Sequence, residues 1–347
     1  MMPAPHQQRT RAVHRSQCGL TLIELMVAIV IGLILTAGVI QIFLGSHQTY
    51  RFQEELSRIQ ENGRFALETL ARDVRNADFR GCAGVTLTED EITDLTIESG
   101  SDGDSGFDMA DAVWAFTHNG GWSPTLDGDV GAHDPDQGGD VIRLRSLDFG
   151  GSALVSEHQS QGTNLFIDDT THFEQDQNVI ATNCSEAVKF TNVSNPDGGN
   201  PQLTVGGAHP GFYDTYQPTD VHTGFGQRYY FIHRDDNGGE PSLARLRDDG
   251  TVDQLAEGVE GMAFSFGVDT SGDFEVNEYR AADSVNVNDW DSVMAVRVSL
   301  LLRGREENVT EEPQVVSFPP GETFDDTTDR RLRQVFTATV SLRNRMP

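Results

Sequence analysis

The chain has 347 residues, 54 acidic and 25 basic, and carries a net charge of −29 with its histidines neutral. That length is generous for one compact domain and short for three, and an apolar content of 37% allows a real core. Lysine occurs once, at Lys189, so the remaining basic residues are arginines. Such an acidic surface repels polyanions and excludes direct capture of nucleic acid through a basic face.

The first nineteen residues are polar, with Arg9, Arg11 and Arg15 and no acid. Leu20 to Leu44 then runs for twenty-five residues with one charge, Glu24. A helix of that length spans a bilayer. The basic flank predicts a cytoplasmic N-terminus and a translocated remainder. A secretory signal peptide would have a shorter apolar core closed by a small-residue cut site, which this run lacks. A carboxylate inside such a span is costly and marks function, which singles out Glu24. Gly32 and Gly38 either let helices approach closely or are ordinary membrane glycines.

Beyond Gly45 the chain turns polar but keeps a helical period. Phe52, Leu56, Ile59, Gly63, Ala66, Leu70, Val74 and Ala77 form one stripe, and Glu54, Glu55, Arg58, Glu61, Arg64, Glu68 and Arg72 occupy the other face. No proline falls between Pro5 and Pro124. The spacing predicts one helix from Leu20 to about Asn76, roughly 85 Å at 1.5 Å per residue.

From about Gly81 short apolar runs are separated by Gly, Asp, Asn and Pro clusters, the pattern of strands and turns. Strands are predicted at Val113–Thr117, Val141–Leu147, Leu165–Ile167, Ala187–Thr191, Arg228–His233, Ser242–Leu246, Met262–Val268, Val293–Leu302 and Val335–Leu342. The almost continuously apolar Val293–Leu302 reads as a central strand. Segments 99–111, 119–139 and 194–227 read as long surface loops. The fold class is α+β: a long N-terminal helix on a β-sheet-rich head, with no clean boundary inside the head.

Enzymatic signals are weak. Gly103-Asp104-Ser105-Gly106 mimics a serine-nucleophile segment without a partner to activate Ser105. The ten histidines are scattered and show no zinc spacing. The aromatics Phe212, Tyr213, Tyr216, Phe225, Tyr229, Tyr230 and Phe231 fit core and loop packing better than a recognition patch.

The junction Gly19-Leu20-Thr21-Leu22-Ile23-Glu24-Leu25-Met26 closely resembles the type IV prepilin cleavage motif. The resemblance implies that prepilin peptidase cuts between Gly19 and Leu20 on the cytoplasmic face and methylates the new N-terminus at Leu20. Glu24 would neutralise that buried amino group and set the register of a subunit entering the filament. Three domains follow: a cleaved leader (1–19), the N-terminal helix (20–78, with 20–44 in the membrane and later the filament core) and a β-rich head (79–347). Loss of the leader leaves 22 basic and 54 acidic residues, about −32. It also removes Cys18, so that Cys82 and Cys184 remain, either as a disulfide formed in an oxidising space or as two unrelated thiols.

Further segments resemble the PilW group of minor pilins. They are Glu61-Asn62-Gly63-Arg64-Phe65-Ala66-Leu67-Glu68 leading to Arg80-Gly81-Cys82, then Pro241-Ser242-Leu243-Ala244-Arg245, Glu257-Gly258-Val259-Glu260-Gly261-Met262 running into Gly267-Val268-Asp269-Thr270, Trp290, Val293 to Arg303, and Arg333 to Asn344. The group often carries Asp-x-Asp-Gly-Asp-Gly near Asp269. Here Asp269, Ser271, Asp273 and Glu275 alternate as oxygen ligands of a calcium loop do, but Ser271 and Phe274 replace a carboxylate and a glycine, so that an acidic hairpin loop without metal is the plainer reading. No other cofactor is expected.

The resemblance implies a non-enzymatic minor pilin that helps to initiate the type IV pilus near its tip. Its implied partners are prepilin peptidase, other minor pilins, a major pilin and the inner membrane. The protein would be single-pass before assembly and would lie at the cell surface afterwards. The alternatives are a J-type pseudopilin of a type II secretion system and a tip adhesin or receptor. Motility, adhesion and DNA uptake are not distinguished.

Overall fold

The computed structural model describes residues 21–81, 92–95, 112–147, 151–157, 164–182, 187–197, 199, 201–204, 220–223, 226–234, 239–285, 289–319, 323–324 and 329–346. A single helix runs from Leu22 to Asn76, 55 residues. The chain divides into two units, residues 1–53 and 54–347. The helical part of the first unit is described on its own terms below; the second unit is the head together with the last turns of the helix.

Within the second unit the apolar stripe is buried. Ile59, Gly63, Ala66, Leu70 and Val74 all lie inward, and Ala77 is fully covered. One member of the expected polar face departs from it. Glu55 is buried, because its carboxylate accepts the backbone N–H of Arg305 at 2.6 Å and faces Arg58 at 3.4 Å. A carboxylate can be buried where it is hydrogen-bonded and paired. The helix ends at Asp78, which takes a left-handed φ of 61° and donates its N–H to the Arg145 carbonyl at 2.9 Å.

The head holds three main sheets. One has six antiparallel strands in the order Val252–Glu257, Ser242–Arg247, Gly226–His233, Val141–Ser146, Val113–His118, Trp122–Ser123. A second has four antiparallel strands in the order Glu278–Ala281, Val259–Val268, Val293–Arg303, Arg333–Ser341. The third has seven short strands between Ile92 and His222, with a parallel pair only where Ile92–Leu95 meets Ala187–Thr191. Each of the nine strands expected from the sequence is present, shifted by three residues at most. Val293–Arg303 is indeed internal, flanked on both sides and buried along almost its whole length.

The loop expectations need correction. Segment 119–139 contains the strand Trp122–Ser123 and a helical turn at Gly128–Gly131, and segment 194–227 contains the strands Gln202–Thr204 and Asp220–His222. These strands are two or three residues long and gain order from pairing rather than from a local apolar pattern. Segment 99–111, with Ser105, lies outside the described residues.

One large core joins the helix stripe to the four- and six-stranded sheets. Trp290 sits at its centre, 5.0 Å from the Trp114 ring and 4.8 Å from Phe266. The seven-stranded sheet has its own core around Phe190, Leu165, Val179 and Leu203. Tyr229 and Phe231 fill a third cluster and Tyr230 the main one, so the described aromatics of the 212–231 set pack as core; Phe212, Tyr213, Tyr216 and Phe225 lie outside the described residues.

Candidate functional site

The helix start is the first part of the site. Gly19 and Leu20 lie outside the described residues, as do Cys82 and Cys184. From Thr21 onward the geometry is plain. The Thr21 N–H donates to Glu24 Oε2 at 3.0 Å and the Thr21 hydroxyl donates to the same oxygen at 2.9 Å, while the Glu24 N–H donates back to Thr21 Oγ1 at 3.3 Å. This is a reciprocal capping box: two otherwise unpaired donors at the helix N-terminus are satisfied by one Thr and one Glu three residues apart. The Thr-x-x-Glu spacing is legible in the sequence, in addition to the expected meeting of Glu24 with the amino group of residue 20. Glu24 thus already has a partner in the uncut chain.

From Leu22 to Leu44 the side chains are bare: Leu22 is 78% exposed and Ile42 73%. By length and composition this is the one helix among the described residues that is able to cross a membrane. A helix that is apolar all round, with no covering protein, fits lipid or other apolar helices better than water.

The second part of the site lies in the head, where the last turns of the helix meet the C-terminal segments. The Asn62 side chain donates to the Glu257 carbonyl at 3.0 Å. A Cβ on Gly63 would come within 2.5 Å of the Phe336 ring, so glycine leaves room for that ring against the helix. The Asn344 side chain donates to the Ala77 carbonyl at 2.9 Å, and Arg345 Nε reaches Asp78 Oδ2 at 2.6 Å. Arg345 also caps the Val293 carbonyl at 3.0 Å. Asp73 receives Arg228 at 2.8 Å and the Tyr230 hydroxyl, with Arg245 at 3.6 Å. Burial, and next the Asp73 charge, push the Tyr230 hydroxyl well above the usual phenol range, so it stays a hydrogen-bond donor. Further out, Glu260 is shared by Arg333 at 2.8 Å and Arg303 at 3.1 Å. None of these long-range pairings is legible from spacing, because the partners lie up to 267 positions apart.

The loop after Val268 keeps its oxygens to itself. The Asp269 carboxylate accepts the backbone N–H groups of Ser271 at 2.9 Å, Gly272 at 2.7 Å and Phe274 at 2.7 Å, and Asp273 accepts the Glu275 N–H at 3.1 Å. Desolvation raises the Asp269 carboxyl, but these donors prevail and hold it below the usual carboxylate range. Among the described residues no group of three or more His, Cys, Asp or Glu side chains is gathered so as to hold a metal. Asp269 and Asp273 thus accept backbone N–H groups of their own turn, with Phe274 held at a φ of 62° at its tip.

Comparison with known proteins reaches both parts. The prokaryotic N-terminal methylation motif matches residues 14–40. The type IV pilus-assembly protein W family matches residues 229–344. The two matches make the chain similar to type IV prepilins at its start and to the PilW domain over residues 229–344. That domain takes in the whole four-stranded sheet and three strands of the six-stranded one, and it supplies Glu257, Phe336 and Asn344, the partners of the helix in the head. The seven-stranded sheet falls outside the match. A solved type IV-like pilin from Thermus thermophilus aligns over 86% of this chain and 98% of its own at 13% identity, with a TM-score of 0.35, which is too distant to carry an argument. No curated protein matches the sequence.

Proposed function

We propose that this protein is a minor pilin that helps to initiate the type IV pilus and sits near its tip. One observation supports the reading above others: a methylation motif opens a bare apolar helix whose last turns are built into a PilW-type head. In this reading prepilin peptidase cuts after Gly19 and Leu20 becomes the methylated first residue. The helix 20–44 holds the subunit in the inner membrane with its head outside the cytoplasm, and then packs among the helices of other minor pilins and the major pilin. A Cys82–Cys184 disulfide pins the head. The role is structural, and the buried polar groups described above serve packing.

Glu24 has two tasks in sequence: it caps the helix through Thr21 before the cut and meets the new amino group of Leu20 after it. Glu24→Ala is expected to be cut normally but to enter filaments poorly, as read by immunoblot of sheared pili. Normal incorporation would remove Glu24 from that role. The wider reading is tested by an in-frame deletion, with surface pili and secreted enzymes measured in the same cultures. Lost pili with normal secretion supports it. Normal pili with lost secretion assigns the protein to a type II pseudopilus, and normal results on both counts favour a dispensable tip receptor.

A further inference from the structure

The strand Arg333–Ser341 forms one edge of the four-stranded sheet. It pairs with Val293–Arg303 over nine positions without a register shift. Which of its backbone groups face outward follows from three bonds. The Arg333 N–H donates to the Gln314 side chain at 2.7 Å, away from the neighbouring strand. The Leu342 N–H, by contrast, donates to the Met294 carbonyl at 2.8 Å, and the Leu332 carbonyl accepts the Gly304 N–H at 2.7 Å, both toward that strand. Alternation along an antiparallel ladder then points the N–H and C=O groups of Val335, Thr337, Thr339 and Ser341 outward. They find no backbone partner among the described residues. Thr337, Thr339 and Ser341 are exposed.

Folded proteins normally blunt such an edge with charge, proline, a bulge or brevity. The other edges here do so. Val252–Glu257 carries Asp253, Glu257 and a register shift, Glu278–Ala281 is four residues long with two charges, and Trp122–Ser123 and Gln202–Thr204 are shorter still. Residues 334–342 contain no charge, no proline and no glycine, in a chain of which 23% is charged.

The charge around the edge is also reversed. Residues 330–346 hold five arginines and no acid. Arg331, Arg333 and Arg345 are spent on Glu240, Glu260 and Asp78. Arg330 and Arg343 stay exposed, one at each end of the strand, and Arg330 meets the neutral side-chain oxygen of Asn308.

We infer that this edge accepts a β-strand from another polypeptide, uncharged over its middle and bearing a carboxylate at each end to meet Arg330 and Arg343. Main-chain bonds to the exposed Thr337, Thr339 and Ser341 supply the affinity and the end charges supply the register. A second copy of this strand is disfavoured as occupant, since antiparallel self-pairing sets Arg330 of one copy beside Arg343 of the other.

The probe is a blocked fourteen-residue peptide, six Thr-Val repeats with a glutamate at each end, so that its carboxylates are as many positions apart as Arg330 and Arg343; it and a lysine-ended counterpart are added to the full-length chain in detergent micelles. Amide hydrogen exchange is then read residue by residue. The glutamate-ended peptide is expected to slow exchange at Thr337 and Thr339 by about tenfold or more, and the lysine-ended one by far less. Phe336 and Ala338, already bonded inward, should change little. Thr337→Pro and Thr339→Pro each remove an outward N–H without touching the ladder; both should fold and fail to bind. No slowing with either peptide, or normal binding by the folded proline variants, overturns the inference. Equal slowing by both peptides overturns the charge specification. Protection that appears on concentrating the chain alone gives the edge to a second copy instead.

Discussion

Residues 22–44 and residues 59–76 belong to one helix, yet they are written for different surroundings. In the first stretch nearly every large apolar side chain is exposed and the only charge is Glu24, itself tied into the helix start. In the second, charge returns on one face and the other is closed over: Ile59 is 2% exposed and Leu70 and Val74 0%. Helical period alone does not distinguish them. What differs is whether a polar face exists, because a helix in water needs one and a helix among lipids or apolar helices does not. The first stretch is the part of the chain that awaits a partner; the second already has one in the head.

That contrast can be broken by exchanging the damage. Leu70→Ala removes a fully buried side chain from the main core and should lower head stability by about 3 kcal/mol, as read by chemical denaturation. Membrane retention should not change. Leu33→Arg is the converse: a charge within the bare stretch costs about 3 kcal/mol of insertion and should shift the chain from the carbonate-washed membrane pellet toward the supernatant, with the head unfolding as before. If Leu33→Arg destabilised the head, or Leu70→Ala released the chain from the membrane, the division would be wrong.

A third test sharpens the division through pH. Asp140 lies in the head beside Phe264, whose N–H donates to it at 3.0 Å. Burial pushes its carboxyl up to about 7, the Phe264 bond opposes this, and the nearby Asp283 adds to it. The folded pKa therefore lies above the unfolded one, so the folded head binds more protons between about pH 4 and pH 7. Stability from this group is greatest at the acid end of that window, falls as pH rises through it and is level above about 7. Asp140→Asn should flatten the dependence and raise stability at pH 8 by about 2 kcal/mol, with no effect on membrane retention. An unchanged pH profile would show that the Asp140 carboxyl is not pushed up in the folded head.

The smallest effect belongs to the helix start. Thr21→Ala removes the hydroxyl half of the capping box and should cost about 1 kcal/mol of helix stability. The expected reading is faster amide exchange over the first turn in micelles, with the head unaffected. Equal exchange in both proteins would remove Thr21 as the cap.

Much of the fold was written locally. The helix was legible from one stripe and the absence of proline, and the nine expected strands from short apolar runs set between turn residues. The unforeseen strands, such as Asn178–Thr182 and Val252–Glu257, are short or charged and exist through pairing. Glu55 was misread for a related reason: its place is fixed by the Arg305 backbone 250 residues away, beyond the reach of any periodicity. Of the candidate site, Glu24 stood out because a lone charge in an apolar run is conspicuous. The capping geometry is signalled by Thr21, three residues before Glu24. The outward edge at Thr337 and Thr339 needed the pairing of strands to be known.

The most direct measurement is the intact mass of the protein purified from cells with an active prepilin peptidase. A chain that begins at N-methylated Leu20, lacking residues 1–19, is the predicted result. An unprocessed chain that still begins at Met1 would contradict the prepilin reading at its root, whatever the head resembles.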